Sequence, residues 1–138
     1  MRLLLDTCVL SEVRHPQGST KVKDFLRACN DTDLFISAIT VGELVRGISL
    51  LHQSTRKNAL SQWLNELEVQ FADRILSIDS ETGRFWGQIT ARRQRIGHPL
   101  PAADGLIAAT GIRHGLHIAT RNVADFNDTG ALLVNSWN

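Results

Sequence analysis

The chain has 138 residues, enough for one domain with a buried core, and the expectation is a single domain over residues 1–138. Hydrophobic residues make up 43% and charged residues 21%, the balance of a water-soluble globular protein. No apolar run approaches the ~18 residues of a membrane span, and the first residues lack a signal-peptide pattern, so no membrane association and a cytoplasmic location are expected. A net charge of +1 excludes any global attraction to nucleic acid or anionic lipid, leaving only a local patch to supply it. Cys8 and Cys29 read as small core residues rather than a disulfide.

Short apolar runs alternate with helical periodicity along the chain. Strands are expected at Leu3 to Asp6, Leu34 to Ser37, Ile75 to Ile78, His117 to Thr120 and Leu132 to Asn135. Between the first two, Val22, Phe25, Leu26 and Cys29 recur at helical spacing. Val41, Leu44, Val45 and Ile48 repeat it, as do Leu60, Trp63, Leu64, Leu67 and Phe71, which predicts a helical hairpin that projects from the sheet or packs on a partner. Ser80 is placed to cap a helix running to about Ile96, stopped by Gly97-His98-Pro99. A last helix runs from Ala103 to about His114 and ends at Gly115. Strands separated by helices imply right-handed crossovers and a parallel α/β sheet covered on both faces.

In such a sheet four acids fall at the same carboxyl rim: Asp6, Glu43, Asp104 and Asp125. Each has a structural explanation of its own. Asp6 can cap the helix after the first strand. Thr40-Val41-Gly42-Glu43 has the form of a capping box, Asp104 can complement a helix dipole, and Asp125 can be a turn residue. Their convergence is what points to chemistry. Two carboxylates about 4 Å apart repel by on the order of 4 kcal/mol at an effective dielectric near 20, so protons or a divalent cation must relieve them. Hard oxygen donors suit Mg²⁺ or Mn²⁺, which can acidify a water and steady the leaving oxygen of a phosphodiester.

The segments Leu-Leu-Asp-Thr, Ser-Ala-Ile-Thr-Val-Gly-Glu-Leu, Pro-Ala-Ala-Asp-Gly-Leu-Ile-Ala-Ala and Thr-Arg-Asn-Val-Ala-Asp-Phe occur in that order. In them the chain resembles, end to end, the PIN-domain ribonucleases, and most of all the VapC and FitB-type toxins of bacterial toxin–antitoxin pairs. The resemblance implies a PIN-like three-layer fold with a five-stranded parallel sheet in the order 3-2-1-4-5. It implies an endoribonuclease using Mg²⁺ or Mn²⁺, with Asp6, Glu43, Asp104 and Asp125 as the acidic quartet. Asp6 and Asp104 would hold the metal, and Glu43 or Asp125 would orient the attacking water. Thr120 and Asn122 would support the fourth acidic position, and Thr7 would line the first. A cognate antitoxin, an RNA substrate such as transfer RNA, and a homodimer built partly from the helical hairpin are implied partners. One departure stands out: Cys8 occupies a place where family members commonly carry asparagine, and a thiol replaces an amide's hydrogen bonds poorly.

The helix from Ser80 carries Arg84, Arg92 and Arg95 on one stripe, with Arg93 and His98 nearby, a surface that could track phosphates or simply face solvent. Two other functions stay open on the sequence. An aspartate-nucleophile phosphatase or phosphotransferase would attack through Asp6, but it wants a second aspartate where Cys8 stands. A catalytically silent binding module would keep the fold and lose the metal.

Overall fold

The computed structural model describes every residue from Met1 to Asn138. Its elements in chain order are β1 (Leu3–Leu5), α1 (Thr7–Arg14), α2 (Thr20–Arg27), β2 (Leu34–Ser37), α3 (Ala38–Ser49), α4 (Thr55–Gln70), β3 (Ile75–Leu76), α5 (Ser80–Arg95), α6 (Ala102–His114), β4 (His117–Ala119) and β5 (Leu132–Val134). The strands form one five-stranded sheet in the order β3-β2-β1-β4-β5, every pairing parallel. Both the strand order and the all-parallel sense match the expectation.

Side-chain alternation on the short strands divides the core into two layers. Leu3 and Leu5 face one side, with Val9, Leu10, Val22, Leu44, Leu64, Leu67 and Phe71 from α1, α2, α3 and the end of α4. Leu4 and Ile118 face the other, with Ile89 of α5 and Ile107, Ala108 and Ala109 of α6. All three residues of β1 are at most 2% exposed, which is why a run of consecutive leucines serves here: a central parallel strand is covered on both faces. The α3–α4 hairpin forms as expected, and its Leu64 and Leu67 join the buried cluster that contains Leu3 and Leu5.

Several boundaries differ from the sequence reading, and each difference has a local cause. The strands are shorter: Asp6, Thr120 and Asn135 lie just beyond them, and β3 keeps only the two residues that pair with Ile36 and Ser37. The capping box at Thr40 to Glu43 does not form. Helix α3 follows β2 directly, and Ser37 caps it, its Oγ accepting from the Ile39 amide at 3.2 Å. Thr40 is fully buried inside the helix, and Glu43 falls in its second turn with its carboxylate free of any capping duty. Likewise Asp79, not Ser80, caps α5: its Oδ1 accepts from the Thr82 amide and hydroxyl, each at 2.8 Å. Helix α6 ends where Gly115 takes the left-handed conformation, φ 66°, that a glycine enters without a Cβ penalty.

Candidate active site

The rim at the carboxyl ends of β1, β2 and β4 gathers the predicted acids. Asp6 leaves β1 in an extended conformation and caps α1, its Oδ1 accepting from the Thr7 amide at 2.8 Å. Its Oδ2 accepts from the Thr120 hydroxyl, also at 2.8 Å, across the junction of β1 with β4. The Asn122 amide in turn donates to Thr120 Oγ1 at 3.0 Å. Structural and functional readings of Asp6 therefore coexist, since Oδ1 accepts a single hydrogen bond and keeps a lone pair for a ligand, while Oδ2 is also met by the Cys8 thiol at 3.6 Å. Asp6 is 6% exposed and Thr120 fully buried, so their pairing is rigidly held.

Glu43 joins the same cluster through Thr7, whose hydroxyl donates to Glu43 Oε1 at 2.8 Å. Thr7, expected only to line the site, physically bridges the first two acids. Asp104 sits half-buried in the first turn of α6, and Asp125 sits exposed on a 3-10 turn, Val123–Phe126. No protein group donates a hydrogen bond to either carboxylate. Burial pushes the Asp104 carboxyl above its ordinary range, and the charges of Asp6, Glu43 and Asp125 push it further, opposed by Arg93. Asp6, Glu43 and Asp125 thus all lie near enough to Asp104 for their charges to act on it.

Cys8 Sγ stands 3.6 Å from Asp6 Oδ2 and 3.7 Å from Thr120 Oγ1. Burial first, then the nearby Asp6 charge, hold the thiol above its usual range, so it stays protonated at neutral pH. The Thr7 amide and the Thr120 hydroxyl provide shorter hydrogen bonds to Asp6 than the thiol does. Asn122 contributes its backbone amide to the network.

Asp6 and Asp104 are the carboxylates at this rim that could hold a divalent ion. The charge on Asp104 is only partly offset by Arg93, and the remaining lone pair of Asp6 Oδ1 and the unpartnered Asp104 carboxylate are hard oxygen donors. No three histidine, cysteine or carboxylate side chains converge tightly enough to cage an ion by themselves. Any Mg²⁺ held here would therefore take one or two carboxylates and keep several of its waters.

The arginines divide unexpectedly. Arg84, Arg92 and Arg95 line one open groove on α5 with Gly83, Gly87 and Gln88. Arg92 is already engaged, its Nε and Nη2 donating to the Asp128 carbonyl at 3.1 and 2.9 Å. Arg93 points inward and is only 9% exposed, donating to the carbonyls of His98, Asp125 and Asn127. The sequence held a signal for it: Phe85, Ile89 and Arg93 follow at four-residue steps on the apolar face of α5.

An open parallel α/β sheet in the order 3-2-1-4-5, with an acid cluster at its carboxyl rim, defines the class. Residues 3–132 match the PIN domain family. The chain is 38% identical to the protein named Toxin FitB from Neisseria gonorrhoeae, over 98% of both chains. It is 32% identical to the VapC ribonuclease Y4jK of Sinorhizobium fredii, over 98% of this chain and 97% of that one. Among solved structures, the crystal structure of FitAcB from Neisseria gonorrhoeae superposes with a TM-score of 0.91 at 37% identity, covering 99% of each chain. The chain belongs to the PIN-domain family, in the group that contains the FitB and VapC toxins.

Proposed function

We propose that the chain is a metal-dependent endoribonuclease and the toxin half of a toxin–antitoxin pair, acting as a single PIN domain in the cytoplasm. The observation that carries this reading is the bonded rim in which Thr7 joins Asp6 to Glu43 and Thr120 holds Asp6, with Asp104 close enough that burial first, and then the charges of Asp6, Glu43 and Asp125, push its carboxyl up. Asp6 and Asp104 hold Mg²⁺ or Mn²⁺ in this reading, with Thr7, Thr120 and the Asn122 amide fixing their neighbours. When bound, such an ion supplies Lewis acidity, acidifying water and offsetting charge on the scissile phosphate. Glu43, with Oε2 free, and Asp125, exposed beside the rim, are the groups that can accept a proton from the attacking water and orient it. Arg84 and Arg95, with the remaining N–H groups of Arg92, offer the local positive surface that a near-neutral chain needs to track a ribose-phosphate backbone.

The toxin name of the FitB relative supports an antitoxin partner. A groove lined by Leu10, Val13, Leu26, Trp63, Leu67 and Phe71, with Arg14, Lys23 and Arg27 beside it, suits an apolar segment carrying acidic residues. Exposed Val45, Leu50 and Val69 on the α3–α4 hairpin support self-association there. Family membership and the thiol two residues after Asp6 leave the aspartyl-phosphate alternative without support.

The test is Asp6→Asn. Loss of several kcal/mol of transition-state stabilisation should slow cleavage of RNA by about a hundredfold or more in Mg²⁺. A purified, folded variant that cuts as fast as the unaltered protein would falsify the assignment.

A further inference from the structure

Arg93 occupies a place where an apolar side chain would cost less. It stands on the buried face of α5, one turn beyond Ile89, which is 3% exposed in the core under the sheet. Taking a guanidinium out of water is expensive unless its hydrogen bonds are met. Here they are met by backbone carbonyls from two separate segments. Nε donates to His98 O at 2.8 Å, and Nη1 donates to Asp125 O at 3.1 Å and Asn127 O at 2.7 Å. The first contact is reciprocal, because the His98 amide donates to Arg93 O at 2.9 Å, closing the turn that Gly97 makes at φ 80°. That turn leads through Pro99 and Pro101 into α6 and Asp104. The second pair of contacts grips the 3-10 turn on which Asp125 itself lies.

We propose that Arg93 is a positioning residue for the acidic rim, a fixed internal cation that ties the Asp104 segment to the Asp125 segment and sets the spacing of their carboxylates. This rests on the metal-dependent reading above. Two physical features make arginine fit the task. Its planar fork reaches carbonyls in divergent directions, which a lysine ammonium on a flexible stem does not hold with the same geometry. Its charge is permanent, so it attracts Asp104 while Asp6, Glu43 and Asp125 repel it. Without it, the two segments keep their own turns but lose the shared anchor, and mutual repulsion is free to spread the carboxylates.

The experiment measures Mn²⁺ affinity by titration calorimetry, and amide hydrogen exchange over residues 125–129, in Arg93→Met, Arg93→Lys and Ile89→Ala. Groups that orient ligands typically change metal affinity by about 10–100-fold when removed. Arg93→Met should therefore weaken Mn²⁺ binding at least about tenfold and accelerate exchange over residues 125–129, and Arg93→Lys should recover part of both. Ile89→Ala opens a cavity on the same helix and lowers stability, yet it should leave Mn²⁺ affinity unchanged. Arg93→Met binding Mn²⁺ like the unaltered protein, or Ile89→Ala losing as much affinity, overturns the proposal. If the unaltered protein binds no Mn²⁺, the metal reading itself fails, and exchange decides the clamp: unchanged exchange in Arg93→Met then removes it.

Discussion

The two ends of α6 treat their carboxylates in opposite ways. Asp104, in the first turn, meets Asp6, Glu43 and Asp125, and its carboxyl is pushed up by burial and by those charges. Asp79 and Glu81 lie by the last turn, beside Arg113 and His114. There the Thr82 amide and hydroxyl, and then Arg113, hold the Asp79 carboxyl below its usual range. Arg113 Nε lies 2.9 Å from Glu81 and 3.8 Å from Asp79, a charge pairing rather than an aligned hydrogen bond. The lower end is electrostatically complete within the protein. At the upper end Arg93 alone opposes burial and three acidic charges, and that imbalance is what the proposed metal role rests on.

The contrast breaks first on metal. Saturation with Mn²⁺ at about a hundred times its dissociation constant should stabilise the fold by about 2.7 kcal/mol, roughly 8 °C in Tm for a chain of this size. Chelation should reverse the shift and abolish RNA cleavage. A melting curve indifferent to Mn²⁺ would place the upper end on the same footing as the lower.

Removing a support inside the upper end should show next. Thr120→Val deletes the hydroxyl bond to Asp6 while nearly conserving shape, and should cost about tenfold in Mn²⁺ affinity. Calorimetry giving an unaltered affinity would mean that Thr120 serves only packing.

pH separates the two ends by sign. Asp104 has a folded pKa above its unfolded value, so the native state holds more protons over the interval between them. Stability of the metal-free protein should fall as pH rises from about 4 through the raised value. Asp104→Asn should remove that slope and raise the melting temperature of the metal-free protein above it. Asp79 has a lowered folded pKa, so its contribution is present above about pH 4 and is lost as pH falls through the lowered value. Asp79→Ala should destabilise at neutral pH, with the deficit shrinking in acid. Thermal melts across pH with the two slopes equal in sign would contradict this division.

The smallest effect is reserved for Cys8. A thiol is a weak donor, and Thr120 already serves Asp6, so Cys8→Ala should alter cleavage by less than about threefold. A larger loss in steady-state cleavage would make the thiol a working part of the rim.

Local patterns in the chain were enough to foresee much of this molecule. Apolar runs such as Leu3 to Leu5 suit a strand covered on both faces, and spacings such as Leu60, Trp63, Leu64 and Leu67 suit a helix with one buried face. Gly115 after His114 marked a helix end that the backbone confirms. Four acids at strand and helix boundaries pointed to one rim, because a parallel sheet sends all its carboxyl ends the same way.

Side-chain partners were not legible in that way, since they depend on residues far apart in the chain. Ser37 capping α3 in place of Thr40, and Asp79 capping α5 in place of Ser80, depended on where a strand stops or a connection turns. Thr120 reaches Asp6 across 114 positions, and Thr7 reaches Glu43 across 36. Arg93 looked like one more surface cation among its neighbours until the packing of α5 turned it inward onto carbonyls of two loops. Periodicity and turn chemistry act over a few residues and so are written in the order of the chain. Electrostatic complementarity acts through space, and only the folded arrangement decided which acids lie beside one another and which lie beside an arginine.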